Sequence, residues 1–213
     1  RCSAADWSAA AARAGIRQAV ASSFQSLFEE DNLAAYRRAV QEAGEVPGLQ
    51  VWPVVNPSRP NQLARLEKVL ADHPARGLRL LPNYHGYRLE APCVGELMQW
   101  AGEHGKVVQV FQAIADVRWH WLLVVPPVPD EDLVGFARTF PQAEIIFAGL
   151  ARPHVMAEAL RANERCYLDL SGVRGPLFAV EHLVAELPPG QILFGSLWPL
   201  QVAESILEQI KQA

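Results

Sequence analysis

A repeat of about 30 residues most constrains the fold of this chain: a short apolar run is followed by a stretch with helical periodicity. The apolar runs predict seven β-strands, at residues 16–24, 49–56, 77–82, 107–114, 144–150, 166–171 and 191–196. The periodic stretches predict eight helices, at residues 4–14, 31–43, 61–72, 92–104, 130–140, 153–162, 177–187 and 200–212, with Asn61 and Asp130 as helix N-caps. The strands are apolar throughout rather than alternating, which is typical of parallel strands covered on both faces.

The order of these elements predicts one α/β domain over residues 1–213. A helix comes first, and seven strands are followed by helices. This is the pattern of a (β/α)8 TIM barrel whose first strand is missing from the chain. A doubly wound open sheet of seven strands is the alternative. The barrel is favoured because the first βα turn has no G-x-G-x-x-G motif and the chain has no P-loop.

Composition excludes several classes of partner. The net charge of −4 predicts no nucleic-acid or anionic-membrane surface. No apolar run approaches the roughly 18 residues of a membrane helix, and the start of the chain has no signal-peptide pattern. Three widely spaced cysteines, without C-x-x-C spacing, predict neither a disulfide framework nor a zinc knuckle. We therefore expect a cytoplasmic protein.

Polar residues follow several of the predicted strands. In a barrel the chemistry takes place at the carboxyl ends of the strands, so these residues are predicted to line one site. Three are candidate catalytic residues, namely His85, Asp116 and Arg118. Five are candidate substrate-binding residues, namely Asn83, Gln112, His120, Arg152 and Asp169.

The catalytic candidates have specific chemical roles. His85 is suited to act as a general base or to orient a carboxylate substrate. Asp116 and Arg118 are two residues apart and are suited to pair or to clamp a polar ligand, since arginine offers a planar fork of donors. The structural alternatives are a loop histidine that bonds backbone groups, and an ion pair that holds a long loop together.

The binding candidates also have structural alternatives. His120 lies between two tryptophans and either lines an aromatic pocket or packs under the loop. Arg152 precedes a proline at a helix start, where it either holds an anion or is simply solvated. Asp169 either faces the rim of the barrel or caps the following loop.

Several motifs resemble one family of barrels. "ILFGSLWP" is similar to the F-G-S-D-W/F-P pattern on the eighth strand of the amidohydrolase superfamily, in the branch that includes aminocarboxymuconate-semialdehyde decarboxylase-like enzymes. "FPQAEIIFAGLARP", "GKVVQVFQAIAD" and "CYLDLSG" resemble its sixth, fifth and seventh strands, and "AARAGIRQAV" resembles the entry to its second. The resemblance covers nearly the whole chain and implies a TIM-barrel hydrolase or lyase.

The departures from the family pattern concern its metal centre. Members with a metal hold it with an H-x-H on the first strand, a histidine on the fifth and an aspartate on the eighth, assisted by a histidine on the sixth. In this chain Phe111 replaces the fifth-strand histidine, Gly149 the sixth-strand histidine and Leu197 the eighth-strand aspartate, and the strand that would carry H-x-H is not among residues 1–213. Phenyl and isobutyl groups offer no lone pair to a divalent ion, so the resemblance implies a barrel with neither metal nor cofactor.

The sequence is consistent with two functions. The first is an enzyme that acts without a metal on a small, carboxylated or cyclic molecule. The second is a non-catalytic barrel that binds a small molecule or serves as a structural subunit. A homo-oligomer is compatible with either function, and the fold alone does not choose between them.

Overall fold

The structure is a computed structural model that describes residues 3–44, 46–114, 124–173 and 178–213. The chain divides into two compact units, Arg1–Leu80 and Leu81–Ala213.

The first unit alternates helices with short strands. Its elements are α1 (Ala4–Ala14), β1 (Ala19–Ala21), a 3-10 helix (Phe24–Leu27), α2 (Asn32–Ala43), β2 (Leu49–Val51), α3 (Gln62–Asp72) and β3 (Gly77–Leu80). Strands β1 and β2 pair in parallel, with Ala19 opposite Leu49. A parallel bridge joins Val54 to Arg79. The parallel arrangement agrees with the prediction from the apolar runs.

Local signals set the helix ends of this unit. Ser3 and Asp6 form a capping box at the start of α1, and Gly15 ends that helix with a φ of 70°, a conformation that glycine adopts at little cost. The Asp31 carboxylate accepts a hydrogen bond from the Ala34 N–H at 3.0 Å and so caps α2. Asn61 occupies the N-cap position of α3, as predicted, but its side chain makes no capping hydrogen bond.

The core of the first unit lies where α2 packs against β2 and α3. Leu33, Tyr36 and Leu66 are fully buried there. The Tyr36 hydroxyl donates to the His73 carbonyl at 2.9 Å, which satisfies the one polar group of that side chain. Burial raises the pKa of the Tyr36 hydroxyl to about 12.

The second unit continues the alternation of strands and helices. Its elements are α4 (Pro82–His85), α5 (Pro92–Glu103), β4 (Val107–Phe111), α6 (Asp130–Thr139), β5 (Ile145–Ala148), a 3-10 helix (Pro153–Met156), α7 (Ala157–Ala162), β6 (Cys166–Asp169), a 3-10 helix (Leu170–Gly172), α8 (Ala179–Glu186), a 3-10 helix (Pro189–Gln191), β7 (Ile192–Leu193) and α9 (Ala203–Gln212). Strands β4, β5, β6 and β7 pair in parallel in that order.

The two faces of this four-stranded sheet differ. One face is fully buried and apolar, formed by Val108, Val110, Ile145, Phe147, Cys166 and Leu168. On the opposite face Gln109 stands in register with Ile146, Ile146 with Tyr167, and Phe111 with Ala148. Because side chains alternate along a strand, this second face also carries Asp169. The sheet therefore presents polar groups on one face only.

Each predicted strand contains an observed strand, which is shorter in every case. The strand predicted at 77–82 ends at Leu80, since Pro82 begins the short helix α4. Asp130 is not an N-cap, because Pro129 takes that position and Asp130 is the first residue of α6. Among the described residues, no helix has both the length and the apolar composition needed to cross a membrane.

Candidate active site

Two glycines allow the backbone at the carboxyl ends of β4, β5 and β6 to come into close contact. Gly149 follows β5 with a φ of 68°, and a Cβ there would lie 2.0 Å from the Ala113 carbonyl oxygen. A Cβ on Gly172, after β6, would lie 2.2 Å from the Leu150 nitrogen. Only glycine permits such backbone contacts. The three strand ends are therefore held together by main chain, which leaves no room for side chains at these two positions.

Gln112 lies at the end of β4 and links four segments. Its side chain is 6% exposed, and its Nε2 donates to the Asp130 carboxylate at 2.6 Å and to the Val128 carbonyl at 3.2 Å. Its Oε1 accepts from the Ala151 N–H at 3.4 Å. Its backbone N–H donates to the Ala148 carbonyl at 2.9 Å. A buried amide with these partners fixes the geometry around it.

Asn83 joins the same network from α4. Its Nδ2 donates to the Gln112 carbonyl at 3.1 Å and to the Pro126 carbonyl at 3.0 Å. The neighbouring Tyr84 hydroxyl accepts from the Ile114 N–H at 3.3 Å. The structure thus brings two predicted residues, Asn83 and Gln112, into direct contact. Their described bonds hold backbone segments in place.

His85 ends α4 and is half-buried. Its ring centroid lies 6.4 Å from that of Tyr87, with the planes tilted by 35°. Tyr87 is buried, and desolvation raises the pKa of its hydroxyl well above the ordinary value. His85 therefore packs beside a neutral phenol.

Arg152 lies after β5, and its guanidinium donates from Nη2 to the Asp130 carboxylate at 2.6 Å. The arginine side chain is 70% exposed, whereas that of Asp130 is 20% exposed. Asp130 therefore connects Arg152 to Gln112. Sequence reasoning missed Asp130, because an aspartate before a helical stretch predicts a cap.

Asp169 belongs to a second network, on the polar face of the sheet. Its Oδ1 accepts from the Ser171 N–H at 2.7 Å, and its Oδ2 accepts from Gln109 Nε2 at 3.2 Å. A Cβ on Gly195 would lie 2.0 Å from Oδ1, so this glycine makes room for the carboxylate. The predicted capping role of Asp169 is present in its bond to Ser171. Gln109 is a further residue that the sequence did not reveal, since one glutamine in an apolar run gives no signal.

Three predicted site residues lie outside the described residues, namely Asp116, Arg118 and His120. The other five lie in the second unit. Of these, Asn83, Gln112 and Arg152 share one hydrogen-bonded network, with Asp130 as the intermediate, whereas Asp169 lies in the second network.

Comparison with known proteins identifies the family. The sequence model of the amidohydrolase family matches residues 2–213. This chain belongs to the amidohydrolase family. No curated protein sequence matches it.

Amidohydrolases and other barrels of known structure share the fold. An uncharacterized TIM-barrel protein from Bordetella bronchiseptica is 15% identical, with a TM-score of 0.68 over 96% of this chain and 73% of that one. The 2,6-dihydroxybenzoate decarboxylase from Rhizobium is 13% identical, with a TM-score of 0.67 over 95% of this chain and 80% of that one. A probable 2-pyrone-4,6-dicarboxylic acid hydrolase from Acinetobacter baumannii is 15% identical, with a TM-score of 0.65 over 99% of this chain and 81% of that one. The predicted TIM-barrel class is therefore confirmed.

The residues at the amidohydrolase metal positions do not fit a metal ion. Phe111 is buried and has no donor atom. Gly149 has no side chain, and its contact with Ala113 excludes one. Leu197 is half-buried and apolar, with a φ of 50°. Within the described residues, no three His, Cys, Asp or Glu side chains come together to hold an ion.

Proposed function

We propose that this amidohydrolase is a hydrolase or lyase that acts on a small carboxylated or cyclic molecule, without the metal centre usual in its family. The contact of Gly149 with the Ala113 carbonyl is the main support for a metal-free site, because it excludes any side chain from the position of the assisting sixth-strand histidine. Phe111 and Leu197 occupy two further metal positions of the family with side chains that have no donor atom.

The substrate class is supported by the family and by two of its structural relatives. Those relatives are a decarboxylase of a dihydroxybenzoate and a probable hydrolase of a pyrone dicarboxylic acid. In this chain the strand ends carry a guanidinium at Arg152 and a carboxylate at Asp169, which suit an anionic group and a hydrogen-bond donor respectively. Without a metal, side chains alone must move protons and stabilise charge.

We assign proton transfer to the catalytic residues predicted from the sequence. His85 is the proposed general base, since its ring is half-buried at the end of α4. Asp116 and Arg118 are proposed to assist it, and His120 is proposed to line the pocket.

Two further proposals concern the setting of the protein. We propose a cytoplasmic location, in keeping with Cys93 and Cys166, which are both free thiols. We also propose that the chain forms a homo-oligomer. Gel filtration with light scattering tests the latter, and a monomer at all concentrations would contradict it.

The proposed function is tested by metal analysis together with turnover. The purified chain is incubated with 2,6-dihydroxybenzoate and 2-pyrone-4,6-dicarboxylate, with and without EDTA, while zinc, iron and manganese are measured. We expect well under one equivalent of metal, turnover of one compound that EDTA does not change, and loss of that turnover in His85→Ala. His182→Ala is the matched control, because His182 is exposed on α8.

Three outcomes contradict the proposal in different ways. Stoichiometric metal at the site overturns the metal-free mechanism. Full turnover by His85→Ala overturns the role of His85. Saturable binding without turnover of either compound favours the non-catalytic barrel instead.

The double variant Phe111→His/Leu197→Asp extends the test. We expect residues 1–213 with these two changes to bind well under one equivalent of zinc, because two new ligands are fewer than the three protein ligands of a catalytic zinc site. One equivalent of zinc in this variant would show that other residues complete the site.

A further inference from the structure

The guanidinium of Arg152 is held by one hydrogen bond to Asp130. Nη2 donates to the Asp130 carboxylate at 2.6 Å, a length typical of a strong charge-assisted hydrogen bond. The side chain is nevertheless 70% exposed. Within the described part of the chain, this is the one polar partner of the guanidinium. A guanidinium has five N–H donors, so four of them have no partner among the described residues.

The backbone of Arg152 is also fixed. Pro153 follows it, and a residue before proline is kept out of the α-helical region, in agreement with the observed φ of −127° and ψ of 72°. The Arg152 carbonyl accepts from the Val155 N–H at 3.3 Å in the 3-10 helix Pro153–Met156. Both ends of this arginine are therefore tied down, unlike those of an ordinary surface arginine.

Asp130 is itself held from the interior. Its Oδ1 accepts from Gln112 Nε2 at 2.6 Å, while its Oδ2 accepts from Arg152. Gln112 is buried at the end of β4 and is bound by Val128 and Ala151 as well. A chain of hydrogen bonds thus runs from the buried strand end to the exposed guanidinium.

We propose that Arg152 binds the carboxylate of the substrate, and that Asp130 and Gln112 are positioning residues that hold its guanidinium in place. This inference rests on the carboxylated substrate of the proposed function. A guanidinium held through one Nη2–H keeps enough donors for two parallel N–H···O bonds to a carboxylate. Because the arginine is ordered before binding, less side-chain entropy is lost when the ligand arrives.

The sign of the electrostatic effect gives a discriminating test. Asp130 carries a negative charge beside the anion site, so charge alone predicts that its removal strengthens carboxylate binding. A positioning role for Asp130 predicts the opposite, namely that its removal weakens carboxylate binding. Asp130→Ala and Asp130→Asn remove the same charge, but only asparagine keeps one oxygen that can accept from Arg152, with loss of the bond from Gln112 Nε2.

The experiment measures the affinity of benzoate by titration calorimetry, with benzamide as the neutral isostere. We expect saturable benzoate binding to the wild type, at least about tenfold weaker binding in Arg152→Ala, and no effect of that variant on benzamide. Asp130→Ala is expected to weaken benzoate binding by about threefold or more, and Asp130→Asn by less. Arg138→Ala is the matched control, since Arg138 forms an exposed pair with Glu158 at 3.3 Å elsewhere on α6.

Several results overturn the inference. These are absence of saturable benzoate binding to the wild type, unchanged binding in Arg152→Ala, and an equal loss in Arg138→Ala. Binding by Asp130→Ala that equals or exceeds the wild type overturns the positioning role, as does equal affinity in the two Asp130 variants. Circular dichroism confirms that each variant is folded. The assay requires no turnover, so its failure leaves the metal-free proposal standing.

Discussion

Gly149→Ala is the substitution that most directly tests the account of the strand ends. The added Cβ would lie 2.0 Å from the Ala113 oxygen and 3.1 Å from its carbonyl carbon. An ordinary carbon–oxygen contact begins near 3.4 Å, so the backbone at the end of β4 or β5 must move by more than 1 Å. Neither partner is a flexible side chain. The strain must therefore be relieved by separating the two strand ends.

The cost has three parts. A non-glycine residue at a φ of 68° loses about 1–2 kcal/mol. Separating the strand ends weakens the bonds from the Gln112 N–H to Ala148 and from the Gly149 N–H to Ser171, at about 1 kcal/mol each. The lower entropy of the unfolded alanine variant returns about 0.4–1 kcal/mol. We expect a net loss of about 2–4 kcal/mol in the free energy of unfolding, a large share of the 5–15 kcal/mol typical of a domain.

Urea denaturation followed by circular dichroism measures this loss. Gly135→Ala is the control, because Gly135 lies in α6 and a Cβ added there would meet no atom within 4 Å. That variant is expected to gain about 0.5–1 kcal/mol. If the free energy of unfolding of Gly149→Ala lies within about 1 kcal/mol of the wild-type value, the strand ends are not held as tightly as described. The backbone at position 149 would then tolerate a histidine.

Three other predictions concern metal removal, the buried thiol of Cys166 and the space that Gly195 leaves for the Asp169 carboxylate. Dialysis against EDTA is expected to leave the melting temperature unchanged, because a metal-free protein loses no stabilising ion to the chelator. A fall in the melting temperature would reveal a bound ion. Burial raises the pKa of Cys166 from 9.0 to about 11, so the unfolded thiol ionises first and stability should fall as the pH rises from 9 to 11. Cys166→Ala should remove that part of the alkaline loss in urea titrations, and an unchanged pH profile would contradict it. Gly195→Ala should displace the Asp169 carboxylate and cost about 1–3 kcal/mol, whereas Gly190→Ala, with open space around it, should cost less than about 1 kcal/mol in the same assay.

The sequence predicted the elements because their signals are local. Helices α2 and α3 show apolar residues at helical spacing, and their boundaries fall within one residue of the prediction. The strands were predicted too long, since apolar residues continue past the last ladder hydrogen bond. Pro82 shows the limit of this reasoning, because the apolar run predicts a strand that ends at Pro82, whereas this proline begins α4.

The candidate site was predictable only where topology decides it. Parallel strands place their carboxyl ends at one edge, which put Gln112 and Arg152 near each other without any knowledge of their contacts. The residue that joins them, Asp130, was assigned to a cap because aspartates are frequent at helix starts. The hydrogen bonds of Asp130 depend on how the segment before α6 returns to the end of β4, which no local pattern records.

The proposed loss of the metal ligands depends on both residue identity and backbone geometry. The sequence shows that Gly149 is not a histidine, which leaves open whether a single substitution would restore one. The structure adds that the Ala113 carbonyl, 36 positions earlier in the chain, occupies the place of the side chain. Leu197 differs, since its φ of 50° lies in a region that aspartate and asparagine enter more readily than leucine does. The backbone at 197 suits an aspartate while the backbone at 149 excludes a histidine, so we expect that Leu197→Asp alone does not create a metal site.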